Sequence, residues 1–338
     1  MDSLTHVVLG VALGEVMGRR SIGKGALILG AAAQSLPDID FFAFLWTSTS
    51  EDLLAHRGFT HSIAFIVVMA PLLSLAASRF LSGRWRPAWR FSFLQWLTFF
   101  GLQLAVHDFI DAFNAYGTGW FEPFNHTRVS FHTLFVADPL FTLGPILSCL
   151  VIFLKFNNPR RIRLVWCGIA WSVLYLGYAV SNKMTIDHVV KNDLASQNIS
   201  YQRLLTTPTP LNTWLWWVVA EDAEGFRIGF RSRFDSGPSK LVRYVPKNDS
   251  LLLDLLNEDV INLKRFSQGY YTVEKRGDTL VFNDLRFGQY GWDDPSAPFV
   301  FRYYLNYPEY NQMVMQRGRF SRWNRENVES FLDHMAGN

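Results

Sequence analysis

The chain has 338 residues, of which 49% are apolar and 18% charged, with a formal net charge of +3. Soluble proteins carry about 25% charged residues, and the deficit sits almost entirely in residues 1–182, so a soluble single-domain fold is excluded for the first half. So small a net charge, with the basic residues gathered near helix ends and not in one patch, gives no argument for nucleic acid, and none is expected as a partner.

Two weaker apolar helices come first, at about residues 4–18 and 22–36, separated by Arg19-Arg20-Ser21. Their small residues, Gly10, Gly14 and Gly18 against Gly23, Gly30 and Ala31-Ala32-Ala33, predict a tightly packed hairpin, because small side chains let helix backbones approach in lipid. No charged segment with a cleavage site precedes them, so they do not read as a removable signal peptide. Four uncharged stretches follow at 62–78, 91–106, 139–154 and 164–182, each of 16 to 19 residues. A helix needs roughly 17–25 residues to cross a bilayer, so the first half reads as a bundle of about six helices. Cys149 and Cys167 lie inside apolar stretches and read as packed thiols.

Lysine and arginine in the short loops set the orientation. One set holds Arg19, Arg20, Lys24, Arg79, Arg84, Arg86, Arg90, Lys155, Arg160, Arg161 and Arg163; the alternate set, residues 1–6, 37–61 and 112–138, holds only Arg57 and Arg128. Eleven against two places both termini, and a soluble domain of residues 183–338, outside the cytoplasm. That domain reads as strand-rich α+β. Hairpins are expected at 214–220 with 226–234 and at 270–275 with 279–285, a further strand at 299–305, and helices at 251–256 and 325–335. Pro208-Thr209-Pro210 reads as the linker into it.

The polar residues of the bundle fall on one side. His6, His56, His61, His107, His126 and His132 all lie at outer helix ends or in outer loops, as do Asp2, Asp38, Asp40, Asp108, Asp111 and Asp138. Ionisable groups at membrane depth are costly and mark a functional site when several converge. Asp2 and His6 are four apart, as are His107 and Asp111, which puts each pair on one helical face. Asp38 and Asp40 follow the helix-stopping Pro37, and His56 and His61 flank a tight turn at Gly58. Imidazole and carboxylate without cysteine suit zinc, manganese or iron. Seven or eight such groups exceed one coordination sphere, which implies two or three ions. Asp138, before Pro139, also fits a plain N-cap, and His126 and His132 read as solvated loop residues. Asp108 points elsewhere on its helix than His107.

The segments Met1-Asp2-x2-Thr5-His6, Pro37-Asp38-Ile39-Asp40, His56-Arg57-Gly58-Phe59-Thr60-His61-Ser62, His107-Asp108-x2-Asp111 and Asp138-Pro139 resemble those of a family of membrane-bound bacterial metal-dependent hydrolases, also described as LexA-binding and inner-membrane-associated. A more distant similarity is to zinc-dependent phospholipase C, from which the chain departs in lacking an N-terminal tryptophan and a final His-x3-Glu. The resemblance implies a multi-pass protein of the bacterial inner membrane that uses divalent ions, two or three zinc ions or else manganese or iron, to cut a phosphoester in a lipid or lipid-linked substrate at the outer face. On this reading His6, Asp38, Asp40, His56, His61, His107 and Asp111 hold metal, and Asp40 or Asp111 acts as general base. Arg57 and Arg128 are the cations placed to clamp a phosphate, and Asp2, Asp108 and Asp138 are additional candidates. The alternative is a non-catalytic binding or regulatory membrane protein in which the same cluster is a structural metal site.

Overall fold

In the computed structural model, residues 1–81, 91–155, 158–253, 255, 257–292, 294, 296–307, 311 and 324–337 are described. The chain runs through α1 (Ser3–Ile22), α2 (Gly25–Ser35), a 3-10 segment (Pro37–Leu45), α3 (Thr49–Ala55), a 3-10 turn (Phe59–His61), α4 (Ile63–Phe80), α5 (Phe93–Asp111), α6 (Pro139–Leu154) and α7 (Arg161–Ser196). Contacts divide it into two units, residues 1–43, 55–131 and 136–178 on one side and 44–54, 132–135 and 179–338 on the other.

In the first unit, each of the four uncharged stretches is a helix. By length and composition, α4 and α7 can cross a membrane, and so can α2 with the 3-10 segment if that pair, bent by 51°, counts as one broken span. This is two or three candidate spans among the described residues, against the six expected. The shortfall has physical causes. With 16 residues, α6 reaches only about 24 Å of a hydrocarbon core of about 30 Å, and α5 carries Asp108 and Asp111 in its last turn.

α1 and α2 form the expected hairpin. A Cβ on Gly10 would lie 2.5 Å from the Gly30 carbonyl oxygen, so any larger residue would push the backbones apart. The helical core holds Phe65, Ala70 and Ala77 of α4 and Trp96, Phe99, Phe100 and Leu104 of α5, packed on Ile22, Ala26 and Ala33. The outward face of α4 is also apolar, with Val67, Val68, Leu72 and Leu75 each more than half exposed. A soluble helix would place charge there.

Arg161 does not belong among the loop charges. It is 1% exposed and grips Glu15, also 1% exposed, through Nε at 2.8 Å and Nη2 at 2.9 Å. Arg84, Arg86 and Arg90 lie outside the described residues.

The second unit is strand-rich. Antiparallel β1 (Arg203–Pro208), β2 (Leu215–Glu221), β3 (Gly225–Ser232) and β4 (Lys240–Pro246) form one sheet in that order; after α8 (Glu258–Phe266), β5 (Tyr271–Arg276), β6 (Thr279–Gln289) and β7 (Phe299–Tyr304) form another, and α9 (Arg325–Ala336) follows. Both expected hairpins are present. Every residue of β2 is buried because it is covered on both faces. Trp217 and Val219 meet Leu285 and Phe299, while Trp216, Val218 and Ala220 meet Ile186, Val190 and Leu194 of α7. That i, i+4, i+8 stripe carries α7 beyond Asn182, where the uncharged stretch ends.

Two expectations are corrected. Pro208 ends β1, which pairs with β2 from Arg203↔Glu221 to Pro208↔Trp216, so 208–210 is part of a hairpin connection and not a linker. The helix expected at 251–256 is a short 3-10 turn at Asp249–Leu252, with Asp254 and Leu256 outside the described residues. The helix of this region is α8, which starts at the N-cap Asn257.

Candidate metal centre

Three polar segments of the first unit meet at one point. Asp38, His61, His107 and Asp111 each offer a ligand atom, and these atoms all lie within 4.8 Å of one another. His107 and Asp111 come from adjacent turns of α5, Asp38 from the bend after Pro37, and His61 from the turn that opens α4. His61, His107 and Asp111 are fully buried, while Asp38 keeps 17% exposure.

Histidine tautomers follow from what each Nδ1 touches. The Nδ1–H of His107 donates to the Gln34 carbonyl at 2.5 Å, and that of His61 points at Asp40 Oδ2 at 3.1 Å. Their Nε2 atoms face each other at 3.0 Å. With both Nδ1 atoms as donors, the two Nε2 atoms are placed to offer lone pairs to a cation between them. Asp38 Oδ1 stands 3.5 and 3.6 Å from these nitrogens, and Asp111 Oδ2 stands 3.4 and 3.8 Å away. A tetrahedral ion with bonds of about 2.0–2.1 Å holds its donors about 3.3 Å apart. The donor set therefore fits a metal ion in chemistry and in spacing.

Asp111 has a second side. Its Oδ1 faces His6 Nε2 at 3.1 Å and the buried Met1 α-amino group. His6 Nδ1 lies 3.3 Å from Gln34 Oε1, so both ring nitrogens of His6 are engaged. The His6 and His107 rings are stacked, with centroids 3.7 Å apart.

Other expected ligands are placed differently. Asp40 accepts from His56 Nδ1 at 3.0 Å, the Arg57 backbone N–H at 2.8 Å and Thr60 Oγ1 at 2.7 Å, besides facing His61. It sits behind His61 and orients the turn, as carboxylates behind metal-bound histidines commonly do. His56 is turned onto Asp40, and burial holds it below the usual histidine range against the pull of that hydrogen bond. Asp2 is the N-cap of α1, accepting from Thr5. Asp138 is the N-cap of α6 and also accepts from Tyr175 Oη at 2.9 Å.

The two arginines differ. Arg128 Nη2 donates to the His56 carbonyl at 2.7 Å, which secures the ligand turn. Arg57, 3% exposed and at φ +61°, donates from Nη2 to the Met1 carbonyl at 2.9 Å and pairs through Nε with Asp111 Oδ2 at 3.2 Å. Its Nη1 is buried with no hydrogen-bond partner. Asp108, 3% exposed, likewise has both carboxylate oxygens without a hydrogen-bond partner. His126 pairs with Glu122 at the surface at 2.7 Å, and His132 lies in the second unit.

Gln34 escaped the sequence reading, although its backbone oxygen and its side chain hold the two stacked histidines. A lone amide at the end of the Ala-rich α2 was the available signal, since a polar side chain at membrane depth needs a reason.

Residues 1–186 match the model of a family described as YdjM inner membrane protein. The chain is 28% identical over 183 residues to YfhP of Bacillus subtilis, covering 52% of this chain and 51% of that protein. It is 29% identical over 127 residues to the inner membrane protein YbcI of Escherichia coli, covering 37% of this chain and 69% of YbcI. The chain thus spans about half the length of the first relative. No solved structure matches it. These findings carry the inner-membrane family and not the similarity to phospholipase C.

Proposed function

The chain belongs to the YdjM inner membrane protein family, and on that premise we propose that it is a membrane-embedded, metal-dependent hydrolase that cuts a phosphoester in a lipid or lipid-linked substrate at the outer face of the membrane. The observation that carries this reading is the convergence of Asp38, His61, His107 and Asp111, with the two histidine Nε2 atoms 3.0 Å apart. One ion belongs with Asp38, His61, His107 and Asp111. His6, beside Asp111, would be the first residue to help hold a second. Zinc suits the donors, with manganese or iron as substitutes.

When bound, such ions lower the pKa of water to about 7 and polarise a phosphoryl oxygen. The chain's own residues do the rest. Asp40 holds His61 in the tautomer that presents Nε2. Arg57 keeps a buried Nη1 with no hydrogen-bond partner, a donor that would meet the charge of a phosphate without reorganisation. Arg128 keeps the His56 carbonyl, and with it the ligand turn, in place. Asp40, already engaged by several donors, has little capacity left to take a proton, so it is a positioning residue.

Screening the purified protein against phosphodiester and phospholipid substrates, with zinc or manganese added, tests the reading. We expect metal-dependent hydrolysis that falls about tenfold or more in Arg57→Lys, where a forked donor becomes a point charge. Bound metal with no hydrolysis of any phosphoester would favour a structural site. Orientation has its own test. With Arg161 set aside as a bundle residue, the bias of the remaining loop charges supports a C-terminal unit outside the cytoplasm. A reporter enzyme fused after Asn338 is therefore expected to be active in the periplasm, and activity only in the cytoplasm refutes an outward-facing site.

A further inference from the structure

The segments that carry the metal-type residues are interleaved with large apolar side chains that point outward. Ile39 between Asp38 and Asp40, Phe59 in the ligand turn and Ile63 just after it are each about half exposed. Beside them a groove of about 700 Å³ opens, with Ile63, Val67 and Val68 of α4 on one wall and Trp120, Phe121 and Phe124 on the other.

This groove is more than the outward face of a helix, because its second wall is fixed to the metal centre by backbone bonds. The Ile63 N–H donates to the Trp120 carbonyl at 3.0 Å, and the Gly119 N–H to the Arg57 carbonyl at 2.8 Å. The Trp120 indole donates to the Asp108 carbonyl at 3.3 Å. Gly119 is needed for the approach, since a Cβ there would lie 3.1 Å from the Gly58 oxygen. The same turn that presents His56, Arg57 and His61 therefore sets the far wall of the groove.

We propose that this groove seats one acyl chain of a lipid whose phosphate lies at the centre built by Asp38, His61, His107 and Asp111. The proposal rests on the reading above and adds the subsite that recognises the lipid. Hydrocarbon is the occupant that the lining admits. The helical wall is a candidate span with an apolar outward face. The polar lining residues are Glu122, whose carboxylate is turned onto His126, and Asn125. A polar ligand would leave its hydrogen-bonding groups unmatched against such walls, whereas an alkyl chain leaves none.

Photolabelling of the full-length protein tests this without reading hydrolysis. The protein is placed in vesicles of phosphatidylethanolamine and phosphatidylglycerol containing a trace of phosphatidylglycerol with a diazirine on one acyl chain, irradiated, and its adducts mapped by mass spectrometry. Adducts at residues 63–68 and 120–125 are expected to exceed several-fold those on Leu147, Leu150 and Leu154 of α6, which serve as the standard for ordinary lipid contact. In Val67→Trp, which fills the groove from an exposed position, the excess should vanish while helix content and bound metal stay unchanged; Ala64→Phe provides a second variant. Labelling no stronger than on α6, or an excess that persists in both folded variants, overturns the proposal. A protein that labels as expected but cuts no phosphoester would keep the groove and lose the hydrolase reading.

Discussion

Purified His61→Ala and His107→Ala proteins should each retain well under one equivalent of transition metal, while the wild type carries more than one. The two Nε2 atoms face each other at 3.0 Å inside the group that also holds Asp38 and Asp111. Removing either leaves a three-donor site with a gap on one side. Because both rings are fully buried, no surface residue can substitute. Asp40→Asn is the graded companion. It keeps the size of the side chain but weakens the acceptor that faces His61 Nδ1, and loss of such a partner costs about 10- to 100-fold in metal affinity. Elemental analysis after dialysis against a weak chelator, with circular dichroism to confirm the helices, reads all three. Wild-type stoichiometry in both alanine variants would refute the ligand assignment.

Arg161→Met should destabilise the helical unit by about 3–5 kcal/mol, the usual cost of leaving one member of a buried ion pair alone. Glu15 and Arg161 are each 1% exposed, and two of the guanidinium nitrogens reach the carboxylate. Arg19 Nη1 also reaches Glu15 at 2.9 Å, which offsets part of the loss and puts the expected value at the lower end. The double variant Glu15→Gln with Arg161→Met should recover much of the stability, because removing both charges also removes the penalty of burying either. Thermal unfolding in detergent, followed by circular dichroism, measures the set. An unchanged midpoint in Arg161→Met would mean that the pair contributes nothing there.

Whatever depends on spacing within one element was legible in the order of residues alone. The uncharged stretches became helices, the Gly10 and Gly30 faces became a close contact, and His107 and Asp111 fell on one face of α5 because four residues make about one helical turn. The hairpins at Glu221–Gly225 and Arg276–Thr279 could be read from alternation and turn residues, and the motifs of residues 1–145 led to the family. Tertiary structure decided how each polar group is spent. Asp38 and Asp40 are two residues apart and chemically identical, yet Asp38 faces the Nε2 atoms while Asp40 is turned onto His56, Arg57, Thr60 and His61. Asp2 and Asp138 had the composition of ligands but cap α1 and α6. Arg161 counted as a loop charge until Glu15, 146 residues earlier, was found against it. The physical reason is common to all of these. A side chain's direction within its own helix or turn is local, but a hydrogen bond or ion pair is a competition among every donor and acceptor the fold brings within about 3 Å. Gln34 supplies the clearest case, since only the meeting of α1, α2 and α5 turns an ordinary amide into the support of two histidines.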